Sequence, residues 1–126
     1  MNSDSICVMV VDDSHTIRKT AEKLLEKEGF KVVCVEDGFD ALACVADVNP
    51  SIIFMDVMMP RLDGYDTCQV IKASAQFTTT PIIMLSSKDG VFDKARGRLA
   101  GSEAFITKPF SKDVLIQAIT QHLKLV

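Results

Sequence analysis

The chain has 126 residues, 48% of them apolar, which is enough for one hydrophobic core and too short for a second large domain. Its 14 Lys and Arg against 17 Asp and Glu give a net charge of −3, which argues against a nucleic-acid partner, because phosphate-backbone binding draws on unopposed cations. No apolar run approaches the roughly 20 residues of a membrane span, and residues 1–5 lack the basic start and long apolar stretch of a secretory signal. Membrane insertion is therefore not expected, and a cytoplasmic protein is.

Five short, nearly continuous apolar runs stand out: Cys7–Val11, 32–35, 52–55, 82–85 and 104–106. They are rich in Val and Ile and do not alternate with polar residues, the pattern of parallel strands covered on both faces. Helical spacing fills the gaps. Ile17, Ala21, Leu24 and Leu25 form the first stripe, with Ser14 placed as N-cap and Gly29 as the stop. A second helix is predicted over 39–48, ending before Asn49-Pro50; a third opens at Asp63-Gly64 and carries Cys68, Ile71 and Ala75 on one stripe. The fourth, Val91–Ala100, contains Gly97, which costs about 1 kcal/mol relative to Ala and suggests a movable element. The last starts at Ser111 and stacks Leu115, Ala118, Ile119 and His122. Fivefold alternation of strand and helix argues for one α/β domain over 6–126 with a parallel sheet, behind a short tail at 1–5.

The four cysteines, at 7, 34, 44 and 68, each lie inside an apolar segment and form no C-x-x-C pair; they read as small buried hydrophobes in a reducing compartment. His15 reads as an exposed first-turn residue, His122 as partly buried, and Lys94, Arg96 and Arg98 as a solvated face.

The polar residues at the strand ends are more informative. Asp12 and Asp13 come directly after the first strand, Asp56 after the third, Ser86 after the fourth and Lys108 after the fifth. Ligands of open parallel sheets bind beyond the carboxyl ends of the strands, where the winding reverses. Right-handed crossovers leave few strand orders, and the order 2-1-3-4-5 sets strands 1 and 3 side by side at that point. Asp12, Asp13 and Asp56 then converge, while Glu36 and Asp37 stand apart in turn and surface roles. At about 4 Å and an effective dielectric of about 20, each pair of carboxylates repels by on the order of 4 kcal/mol. A cation must offset that, either Lys108 or a hard divalent metal; an all-oxygen site suits Mg²⁺ better than zinc. A carboxylate in such surroundings can be a nucleophile toward phosphorus. Asp56, on a central strand, is the best placed, with the acidic pair left for the metal and Ser86 able to hydrogen-bond a phosphoryl oxygen.

Asp12-Asp13-Ser14, Asp56 after Ile-Ile-Phe-Met, Met59-Pro60-Arg61-Leu62-Asp63-Gly64, Ser86 and Lys108-Pro109 resemble the signature of the two-component receiver domain, whose stand-alone members are similar to CheY. The resemblance covers essentially the whole chain. It implies the flavodoxin-like, doubly wound five-stranded sheet of order 2-1-3-4-5 flanked by five helices, and part of the support for that order comes from it. It further implies Asp56 as phosphoacceptor and Mg²⁺ ligand, Asp13 as a direct Mg²⁺ ligand, Asp12 acting largely through metal-bound water, and the Met58 backbone carbonyl completing the protein's share of the shell. Lys108 pairs with the phosphoryl group and, before that, with Asp56, ahead of a cis bond to Pro109. Ser86 and Phe105 match the switch pair, with serine for the commoner threonine and phenylalanine for the commoner tyrosine, so that coupling rests on packing.

Segments 38–43, 58–65, 80–90, 92–98 and 107–112 are similar to receiver-only regulators of twitching motility in the chemosensory system of type IV pili. That likeness implies a CheA-type histidine kinase or phosphotransfer domain as donor and an output protein bound through helix 4, strand 5 and helix 5 of a monomer. With the chain ending at Val126, output is expected to come from protein contact. A flagellar chemotaxis regulator and a phosphorylation-independent adaptor are the alternatives. A flavin carrier would meet Asp12 and Asp13 where its phosphate binds, a dinucleotide domain would need a G-x-G-x-x-G that is absent, and an aspartate-nucleophile phosphatase would need an acid where Met58 stands.

Overall fold

A computed structural model describes residues 6–87 and 91–124, with the side chains of Val91 and Phe92 excepted. The expected tail at 1–5 and residues 88–90 of the 80–90 segment lie outside the described residues. The strands are β1 Cys7–Val11, β2 Lys31–Val35, β3 Ile52–Asp56, β4 Ile82–Ser86 and β5 Ala104–Thr107; the helices are α1 His15–Lys27, α2 Gly38–Val48, α3 Gly64–Ala73, α4 Val91–Ala100 and α5 Lys112–His122. The strands form one parallel sheet in the order β2-β1-β3-β4-β5. This is the CheY-like flavodoxin fold expected.

Strand periodicity divides the core in two. Val8 and Val10 of β1, with Ile52 and Phe54 of β3, pack against Ala21 and Leu25 of α1 and Leu115 and Ile119 of α5. The alternate residues, Met9, Val11, Ile53 and Met55, face Ala41 and Val45 of α2 and Cys68 and Ile71 of α3 on the other side. Because both faces are covered, β3 and β4 are buried throughout, which explains why their sequences carry no polar alternation.

Side-chain caps define the helix starts. Ser14 Oγ accepts from Ile17 N, Asp37 Oδ1 from Asp40 N, Asp63 Oδ1 from Asp66 N and Ser111 Oγ from Val114 N. α1 ends ahead of Gly29, at φ 92°, and α2 at left-handed Asn49, as the sequence pattern predicts.

Three expectations need correction, those on Ala75, the cysteines and Asp37, and Gly97 gains a packing reason beside its expected cost to α4. Ala75 is exposed in a short 3-10 turn, Ala75–Phe77, and Phe77 is the side chain buried there, so the stripe of α3 ends at Ile71. Of the cysteines only Cys68 is buried; Cys7, Cys34 and Cys44 are half-buried, and all four are free. Burial pushes the Cys68 thiol up to about 12 and that of Cys34 to about 11. Gly97 has a packing reason: a Cβ there would stand 3.1 Å from Ser102 Oγ and 3.5 Å from Met84 Cγ, so the glycine lets α4 lie close to the sheet. Asp37 has its expected turn role but is buried rather than on the surface, because it caps α2 and pairs with Arg61 Nη2 at 3.0 Å.

Candidate functional site

Asp12 comes directly after β1, and Asp56 and Ser86 are the last residues of β3 and β4. Adjacent β1 and β3 bring Asp12, Asp13 and Asp56 together, each offering a carboxylate oxygen within 4.8 Å of the others. Asp12 and Asp56 are buried and Asp13 is exposed. Lys108, one residue beyond β5, reaches across: its Nζ donates to Asp12 Oδ2 at 2.7 Å and to Asp56 Oδ1 at 3.0 Å. The sequence anticipates the Asp56 contact; the shorter one, to Asp12, emerges only in the fold. The Lys108-Pro109 peptide is cis.

Burial, followed by hydrogen bonding from Lys108 in the opposite sense and repulsion from Asp12, leaves the Asp56 carboxyl at about 7, against 3.8 for an ordinary aspartate. For Lys108, burial works against its charge, but the hydrogen bonds to Asp12 and Asp56 outweigh it and raise its pKa. A single lysine thus fails to neutralise the cluster. The donor set is all oxygen, and exposed Asp13 leaves it open to solvent on one side, so the residues fit a hard divalent cation.

Ser86 is buried beside this cluster's strand ends, with Lys108 N donating to its carbonyl at 2.7 Å. Phe105 is half-buried against the core on the α2–α4 side. The Met58 side chain is exposed. α3 begins hard against the site: Gly64 N donates to Val57 O at 2.9 Å, and a Cβ on Gly64 would collide with the Asp56 carbonyl oxygen. That close approach requires the glycine of Asp63-Gly64.

Residues 8–120 match the response regulator receiver domain. The chain belongs to that family. This receiver is 61% identical to protein PilG of Pseudomonas aeruginosa over 121 residues, a span covering 96% of this chain and 90% of that protein. Among solved structures, chemotaxis protein CheY4 of Vibrio cholerae is similar with a TM-score of 0.89 and 29% identity, over 92% of this chain and 97% of that one. The receiver domain of Francisella response regulator 1452 is similar with a TM-score of 0.86 and 33% identity, over 95% and 98%. A receiver is a two-component signalling module, with a phosphodonor before it and an output partner after it. No helix among the described residues is long and apolar enough to cross a membrane.

Three arginines around the receiver's site were missed or undervalued in the sequence. Arg18 Nη1 donates to the Asp12 carbonyl at 2.7 Å. Arg61, in the left-handed region at φ 69°, pairs with Asp37 and covers the Phe39 ring. Arg96, read as a solvated face, lies 4.5 Å above the Tyr65 ring and 3.7 Å from Asp63. Their partners are distant in sequence, so only an i, i+6 spacing for Arg18 could have hinted at any of them.

Proposed function

We propose that this receiver accepts a phosphoryl group on Asp56 in a Mg²⁺-dependent transfer from phosphohistidine, and that the modification switches a protein-binding surface. One observation carries the reading: Lys108 Nζ bridges buried Asp12 and Asp56 in a carboxylate cluster that Asp13 completes. An Asp56 oxygen attacks phosphorus, forming an O–P bond as the N–P bond to the donor imidazole breaks. The electron pair leaves with the imidazole nitrogen, which takes a proton from solvent. Lys108 offers its charge to the phosphoryl oxygens of the loose transition state, and the Ser86 hydroxyl accepts or donates a hydrogen bond there.

Asp13, exposed, suits direct coordination. Asp12 suits contact through water, because its two carboxylate oxygens already accept from Ser14 N and Lys108. Asp56 and the Met58 carbonyl complete the protein's donors in this reading. Mg²⁺, when bound, supplies further positive charge opposite the phosphoryl oxygens.

The receiver match supports a histidine kinase as donor, and the PilG likeness supports a CheA-type kinase or its phosphotransfer domain and an output in type IV pilus twitching. The signal passes from Ser86 to Phe105, and the output protein docks on α4, β5 and α5 of a cytoplasmic monomer. Acetyl phosphate with Mg²⁺ tests the chemistry: intact mass should rise by one phosphoryl group in the wild type and stay unchanged in Asp56→Ala. No gain in the wild type, or a gain that survives in Asp56→Ala, overturns the reading; the former favours an adaptor that never carries phosphate.

A further inference from the structure

Asp12 lies one residue beyond the paired register of β1 with β2, which ends at Val11 opposite Val35. Its N–H still donates to Val35 O at 3.2 Å, but its carbonyl has passed the end of the ladder, and a buried carbonyl needs a donor. Arg18 supplies it. The Nη1 group reaches back from the second turn of α1 to the Asp12 oxygen at 2.7 Å. That oxygen belongs to the peptide joining Asp12 to Asp13. With Ser14 N on Asp12 Oδ1 and Lys108 on Oδ2, every polar atom of Asp12 is engaged, and among the described residues the Arg18 bond is the one that acts on the carbonyl of the peptide leading into Asp13. The arginine is half-buried and lines a cavity with Cys34 and Glu22.

We infer that Arg18 is a positioning residue for the cation site: its guanidinium fixes the Asp12–Asp13 peptide and so sets where the Asp13 carboxylate stands relative to Asp56. The inference rests on the Mg²⁺-dependent reading above. It also has a sign that simple electrostatics does not. Removing a positive charge beside three carboxylates would, by Coulomb attraction alone, strengthen cation binding. Releasing the peptide weakens it, because donors that orient metal ligands contribute about 10-fold or more to affinity.

Calorimetric titration with Mg²⁺ alone, without any phosphodonor, separates these. Relative to the wild type, Arg18→Met should lose about 10-fold or more in affinity, and Arg18→Lys, which keeps a charged donor, should recover most of it. Melting in EDTA reports folding independently. A purely structural role would lower that melting point while leaving the Mg²⁺-induced rise intact. Should Arg18→Met not fold, Arg18→Gln against Arg18→Lys makes the same comparison. Unchanged or tighter Mg²⁺ binding in Arg18→Met or Arg18→Gln overturns the inference alone. A wild type that binds no Mg²⁺, or Asp13→Asn binding as the wild type does, overturns the Mg²⁺ reading and this inference with it.

Discussion

Asp56 is under opposing demands, since the burial that excludes water from a nucleophile also disfavours its charge. With its carboxyl raised to about 7 from 3.8, the native state holds a proton that the unfolded chain releases. Between those values, raising the pH therefore removes stability, and the full penalty is present above about 7. Asp56→Asn carries no such charge. In EDTA, the wild type should lose stability relative to Asp56→Asn as pH rises from about 4 to about 7.5, by on the order of 3 kcal/mol, and the gap should close below about pH 4. Urea midpoints across that range measure it, and a gap independent of pH would refute the account. Lys108 does not blur the comparison, because its raised pKa keeps it charged throughout. At this scale the sequence revealed which residues bear charge, but not that Lys108 approaches Asp12 more closely than Asp56.

The elements meet the site through short straps. Arg61 holds the loop between β3 and α3 onto the start of α2 through Asp37, 3.0 Å away, and the Phe39 ring, 5.2 Å away, while itself occupying φ 69°. Arg61 is largely exposed, so the ion pair contributes little and the strap about 1 kcal/mol in all. Arg61→Ala should lose about that much and keep the unfavourable backbone. Arg61→Gly loses the same contacts but relieves about 1 kcal/mol of left-handed strain, leaving it close to the wild type. Thermal melting of the two variants decides, and equal losses would show that the backbone is unstrained. Caps such as Ser14 and Asp63 were legible because their partners lie three residues on. Arg61 was not, its partner being 24 residues away. Ala75 misled because its helical spacing is right while the chain has already tightened into a 3-10 turn.

Across the whole molecule, two apolar layers cover the two faces of the sheet beneath its carboxyl edge. Phe54, among the largest fully buried side chains, belongs to the α1 and α5 layer, two residues before Asp56. Phe54→Ala should cost about 3–5 kcal/mol, read as a fall in urea midpoint with an unchanged slope; a loss below about 1 kcal/mol would mean that this layer repacks freely. The amino-acid sequence alone determined the alternation of elements, most of their caps and the five charged or hydroxyl groups at strand ends, because those signals are local: periodicity, turn chemistry and composition. Only the tertiary structure decided which carboxylate Lys108 approaches most closely, that Asp37 is buried, that Gly64 must lack a Cβ against Asp56, and that Arg18 donates to the Asp12 carbonyl. Each of these depends on the distance between segments far apart in the chain, which parallel pairing and helix packing set and no local pattern records.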